Sequence, residues 1–93
     1  MFKTNEYFEG KVKSIAFETA EGPATIGVMD AGEYEFGTSS KEIMSVTSGR
    51  LDVKLPGIDD WVACHVGDEF IVEKGESFNV RANGQVAYLC LYR

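Results

Sequence analysis

The chain has 93 residues, the length of one domain of roughly 100 residues and too short for a second folded unit. Nine Lys and Arg against fifteen Asp and Glu leave a formal net charge of -6, which repels the phosphate backbone and argues against a nucleic-acid binder. With 44% hydrophobic and 12% aromatic residues the chain folds, yet it offers no run near the ~18 apolar residues of a membrane span. Met1 to Glu6 lacks the apolar core of a secretion signal, so a cytoplasmic protein is expected.

Alternation of apolar and polar residues recurs along the chain, and the i, i+3, i+4 pattern of a helix never persists for three turns. Glu9-Gly10 allows the backbone to bend as the first strand enters. From Lys11 to Phe17 the apolar parity switches near Ser14, which predicts a bulge or a strand passing between two sheets. Next come Ala24, Ile26 and Val28 on one parity, then Tyr34 and Phe36, then Leu51, Val53 and Leu55, each with the period of two of a half-buried strand. Turn residues punctuate these runs at Glu21-Gly22-Pro23, Asp30-Ala31-Gly32, Ser48-Gly49-Arg50, Pro56 to Asp60, Val66-Gly67-Asp68 and Lys74-Gly75-Glu76. Asn83-Gly84, between runs ending at Val80 and starting at Val86, predicts a type I′ hairpin. Eight or nine short strands without helical crossovers require an antiparallel sheet, closed or doubled to protect its edges, so a jelly-roll barrel or β-sandwich is expected.

The chemistry available is limited. His65 is the one histidine, and its neighbour Cys64 points to the opposite face of the same strand, so the two cannot share a ligand sphere or form a nucleophile pair. Cys64 and Cys90 are expected to be buried, reduced thiols. The phosphate-loop, dinucleotide and nucleophile-elbow motifs are all missing. The stretch Gly37 to Glu42 gathers hydroxyls, the Lys41 cation and a carboxylate; it reads either as a solvated loop or as a cradle for an oxyanion. Glu33, Glu35 and Glu42 are candidate acids. Glu42 stands out because it shares parity with Met44 and Val46, and an inward glutamate is either hydrogen-bonded in a structural role or functional. Tyr88, Cys90 and Tyr92 occupy one parity of the last strand, a face suited to stacking on a flat ring or to packing on a partner subunit.

Several runs together resemble a known family. Asn5-Glu6-Tyr7-Phe8, Gly10 to Ile15, Gly32-Glu33-Tyr34 with Phe36 and Thr38, the segment from Glu42 to Pro56, and Tyr88-Leu89-Cys90 with Tyr92 are similar to the small single-domain cupins called pyrimidine/purine nucleoside phosphorylases. Glu42 and Gly49 keep the spacing of the first cupin motif, and Gly67 and Gly75 that of the second. Phe36, Thr38 and Phe78 stand where cupins carry metal-binding histidines, which implies no metal site.

The resemblance implies an all-β, cupin-type jelly-roll antiparallel β-barrel spanning residues 1–93. It further implies a pentosyltransferase that carries out reversible phosphorolysis of purine and pyrimidine ribonucleosides to free base and ribose 1-phosphate. No cofactor is expected; inorganic phosphate is the co-substrate, and a homodimer is expected from the small size. Within this reading Glu42 is the catalytic candidate, supporting the positively charged sugar. Thr38, Ser39 and Lys41 are candidates for phosphate, Tyr34 or Tyr88 for stacking on the base, and Phe36 and Phe78 for the wall of the substrate site. The alternative is a non-enzymatic, metal-free cupin that binds a nucleoside or sugar-like small molecule.

Overall fold

In a computed structural model that describes all 93 residues, ten strands are joined by turns. They are β1 (Lys3–Tyr7), β2 (Val12–Thr19), β3 (Gly22–Met29), β4 (Gly32–Gly37), β5 (Glu42–Ser48), β6 (Leu51–Lys54), β7 (Val62–Cys64), β8 (Glu69–Val72), β9 (Ser77–Ala82) and β10 (Val86–Tyr92). A six-stranded sheet in the order β1-β2-β3-β10-β5-β8 faces a four-stranded sheet in the order β4-β9-β6-β7. Every pairing is antiparallel. This is the expected cupin-type jelly roll, built as two facing sheets rather than one continuously hydrogen-bonded cylinder.

Side chains from the two inner faces make a single core, including Val12, Met29, Leu51, Val53, Val80 and Val86, all almost wholly buried. Val12, Met29 and Val86 fall in one register row across β2, β3 and β10, so this end of the sandwich is filled. The chain crosses between sheets from β5 to β6 at Gly49 and from β9 to β10 at Asn83 to Gln85. The two crossings touch: Gly49 sits at φ +87°, and a Cβ there would lie 2.8 Å from the Gln85 carbonyl oxygen. Only glycine meets both demands.

Three local expectations are corrected. Asn83-Gly84 is not a hairpin, because β9 and β10 lie in opposite sheets and neither residue has the positive φ that a type I′ turn needs. Ala82 and Val86, buried on either side, pull the chain across the core instead. No bulge falls at Ser14: β2 runs in unbroken register with both β1 and β3, and the shift lies in the β5–β10 pairing, where Thr47 of β5 is the extra residue opposite the Ala87–Tyr88 step. Ile26 and Val28 do not face the core. The buried parity of β3 is Thr25, Gly27 and Met29, and Ile26 and Val28 are exposed on the outer face.

The outer faces differ in chemistry. The four-stranded sheet presents Asp52 between Arg50 and Arg81, with Arg81 and Lys54 stacked on Trp61. The six-stranded sheet presents Ile15, Ile26 and Leu89 in one register row and Leu91, Ile43 and Ile71 in another.

Candidate functional site

The inner face of β10 carries Tyr88, Cys90 and Tyr92, and that of β5 carries Glu42 and Met44. Opposite them, Phe36 on β4 and Phe78 on β9 are register partners whose rings stack at 5.7 Å. Between these walls lies a lumen of about 200 Å³, completed by Tyr7, Ser14, Gly37 and Ser39. It exists because β3 offers Gly27 rather than a larger residue beneath Tyr88, which lets the phenol ring lie flat on the sheet.

Five of the eight sequence candidates line this lumen: Phe36, Ser39, Glu42, Phe78 and Tyr88. Tyr34, Thr38 and Lys41 do not. The Thr38 hydroxyl donates to the Glu73 carbonyl at 2.7 Å and accepts from the Glu76 backbone N–H at 3.1 Å, which ties the end of β4 to the turn before β9. Tyr34 is buried beneath Phe8, with its hydroxyl donating to the Asp30 carbonyl at 2.7 Å. Lys41 passes the site as backbone, its carbonyl accepting from the Arg93 N–H.

Sequence reasoning singled out the inward parity of Cys90 and Tyr92 without assigning either a role, and it missed Tyr7, Ser14 and Met44. Tyr7 enters because the next three residues all adopt left-handed backbone, with φ of 53° at Phe8, 59° at Glu9 and 87° at Gly10. That turn swings Tyr7 over the mouth, edge-on to Phe36. Glycine marks one of the three positions; nothing in Phe8 or Glu9 signals the other two.

The electrostatics of the lumen are unusual for an acidic side chain. No Lys or Arg lines it, and the carboxyl of Glu42 has one side-chain partner, the Cys90 thiol, whose Sγ donates to Oε1 at 3.5 Å. Burial raises the Glu42 pKa above its ordinary value, and the thiol hydrogen bond offsets part of that. Burial likewise pushes Tyr88 and Cys90 up to about 12 and raises Tyr92, so these groups are neutral donors at ordinary pH. Tyr92 is held by a 3.0 Å hydrogen bond between its hydroxyl and that of Thr25. The site therefore combines a carboxyl with a raised pKa, neutral hydroxyls and flat aromatic walls. That set can receive an uncharged ring and give it a proton or hydrogen bond.

A metal of the kind cupins hold does not fit. At the positions where cupins have ligands, Phe36, Thr38 and Phe78 leave Glu42 as the sole donor, and no three His, Cys, Asp or Glu side chains converge anywhere in the chain. No helix is long and apolar enough to cross a membrane.

A second, larger hollow adjoins the lumen. It is an open groove of about 940 Å³ on the part of the six-stranded sheet that the other sheet leaves uncovered, and it shares Tyr7 and Tyr92 with the lumen.

Comparison with known proteins agrees with this architecture. A chain from Pseudomonas fluorescens named pyrimidine/purine nucleoside phosphorylase is 61% identical over all 93 residues, covering 99% of that relative. One of the same name from Pseudomonas aeruginosa is 58% identical and is covered in full. A crystal structure of a Vibrio parahaemolyticus protein of unknown function, 42% identical, superposes with a TM-score of 0.93 over 97% of this chain and 96% of that one. The family model described as pyrimidine/purine nucleoside phosphorylase matches residues 2–92, and the chain belongs to that family.

Proposed function

We propose that the chain is a pentosyltransferase, catalysing reversible phosphorolysis of purine and pyrimidine ribonucleosides to free base and ribose 1-phosphate. Relatives carrying the nucleoside phosphorylase name at 57–61% identity over the full length support the reaction. The observation that carries the chemistry is Glu42, a carboxyl whose pKa burial raises, facing an aromatic, cation-free lumen.

In this reading the base rests among Phe36, Phe78 and Tyr88, and Ser39 hydrogen-bonds the sugar. A phosphate oxygen forms a bond to the anomeric carbon as the bond from that carbon to the base nitrogen breaks. The electron pair leaves on the base, and Glu42 supplies the proton that neutralises it. Hydrogenphosphate loses its own proton on becoming the ester, and that proton restores the acid form of Glu42. An acid that can donate to a ring nitrogen or to a carbonyl oxygen does not select between purines and pyrimidines, which suits broad base tolerance. The residues present call for no metal and no cofactor beyond inorganic phosphate.

The same proposal includes a cytoplasmic homodimer. The outer face of the six-stranded sheet is apolar across two register rows, with Ile15, Ile26, Val28 and Ile71 each 43–50% exposed, whereas the opposite outer face is charged. Contiguous apolar faces of this kind are covered in stable proteins. A second copy of the chain, laying the same apolar rows against these, would cover them.

The test is release of free base from uridine and inosine by purified protein, with and without inorganic phosphate. Phosphate-dependent release supports the proposal. Nucleosides left intact over hours, with binding still measurable, would make the chain a binding module instead.

A further inference from the structure

We propose that the two substrates occupy different hollows: the base lies in the lumen, while inorganic phosphate is held in the adjoining groove by Lys3. This inference rests on the phosphorolysis reading above and assigns the half of the site that reading leaves open.

Size is the first argument. Small-molecule sites run to roughly 300 to 1,000 Å³, and the lumen, at about 200 Å³, is too small for a nucleoside and phosphate together. The groove provides about 940 Å³ directly beside it. Tyr7 and Tyr92 line both, so the two hollows meet at these rings.

Charge is the second. The lumen holds no cation, so a phosphate dianion there would give up its hydration with no positive charge to offset the loss. Lys3 is the only Lys or Arg lining either hollow, and it makes no ion pair. Its register partner on β2 is Ala16, which shares the concave face with Ser14. The short alanine leaves space above the sheet beside the ammonium. Asn5, one step along the same face, donates its Nδ2 to the Ser14 hydroxyl at 3.4 Å, and Thr25 binds the Tyr92 hydroxyl at 3.0 Å. These two hydrogen bonds cross the seam between the hollows and give it a polar floor. Glu18, the one carboxyl of the groove, lies further along β2 toward the β2–β3 turn, so the favourable position for an anion is the Asn5 side of Lys3.

Reaction geometry is the third. Displacement at the anomeric carbon brings the nucleophile in on the face opposite the departing base. With the base in the lumen beside Glu42, the ribose sits at the seam between Tyr7 and Tyr92, and phosphate approaches from the groove. Lys41 and Arg93, which adjoin the lining residues Glu42 and Tyr92 in sequence, line neither hollow, and the Arg93 guanidinium is engaged by the Pro23 and Tyr92 carbonyls.

The experiment is steady-state uridine phosphorolysis with phosphate and uridine varied separately, using wild type, Lys3→Gln and Lys3→Arg. Lys3 is exposed on an edge strand, so both variants are expected to fold, which circular dichroism checks. The expected result is a KM for phosphate raised at least tenfold in Lys3→Gln and largely recovered in Lys3→Arg, with the KM for uridine changed less than twofold. Calorimetric titration with inorganic phosphate alone should weaken in parallel. An active wild type whose phosphate KM is unchanged in Lys3→Gln overturns the groove assignment and leaves phosphorolysis standing. A wild type that releases no uracil overturns the phosphorolysis reading on which the assignment depends.

Discussion

Gly27 and Tyr88 are register partners on β3 and β10, and the Tyr88 ring occupies the space where a side chain at Gly27 would begin. The wall of the lumen is therefore set by the absence of one methyl group. Gly27→Ala should push the ring into the lumen or tilt it out of its rotamer, at a cost of about 1–3 kcal/mol for overpacking. For a domain of this size each kcal/mol lowers Tm by roughly 4–8 °C. Thermal melts should show that loss, and the KM for nucleosides should rise because the volume removed is the substrate's. A variant melting like wild type with an unchanged KM would mean that the ring does not shape the site.

Glu42 links burial to pH. Because desolvation raises its folded pKa above the unfolded value, the neutral form contributes stability that is complete below the unfolded pKa and is lost as pH rises through the folded one. Glu42→Gln keeps the shape and removes the titration. Its melting temperature should match wild type at pH below the unfolded glutamate pKa and exceed it once pH has risen through the raised folded pKa. Turnover should fall by about 100- to 10,000-fold in the same variant if the carboxyl is the proton donor. In wild type, kcat should decline as pH rises through the elevated pKa. A flat stability difference across that range would show that Glu42 titrates as it does in the unfolded chain.

The strands and most of the lumen are legible in the sequence for the same reason: alternation fixes which parity is buried wherever the two parities differ in polarity. Glu42, Met44 and Val46 follow that rule, as do Tyr88, Cys90 and Tyr92. It fails where both faces of a strand are apolar. On β3 the bulkier residues, Ile26 and Val28, point outward, and the inner positions are Thr25 and Gly27, small because Tyr88 and Tyr92 fill the space above them. That requirement belongs to β10, more than 60 positions away in sequence order, and no local pattern carries it. Asn83-Gly84 fails differently: the turn residues are right for a hairpin, but which sheets the flanking strands join is decided by the core.

The apolar outer face gives a test of assembly. Ile26 lies between Ile15 and Leu89 in register and is 43% exposed, so a lysine there has room in a monomer but would be buried without a partner at the centre of a sheet-on-sheet dimer. Wild type should elute with the mass of two chains by light scattering at micromolar concentration, and Ile26→Lys with the mass of one. A wild type of single-chain mass would remove the dimer from the proposal.

Thr38 separates a structural hydroxyl from a ligand-binding one. Its side chain donates to the Glu73 carbonyl and accepts from the Glu76 N–H, and its backbone exchanges hydrogen bonds with Glu76 and Gly75, so the residue clamps the β8–β9 turn against the end of β4. Thr38→Val keeps the volume and removes the hydroxyl, leaving the Glu76 N–H and the Glu73 carbonyl to find water. The loss should be about 1 kcal/mol, near the net worth of a hydrogen bond in a partly exposed setting. The KM for phosphate should stay within twofold of wild type, since the hydroxyl is already engaged and Thr38 lines neither hollow. A large rise in that KM at unchanged stability would mean that the clamp opens to bind phosphate, and would move the anion from the groove beside Lys3 to the loop between β4 and β5.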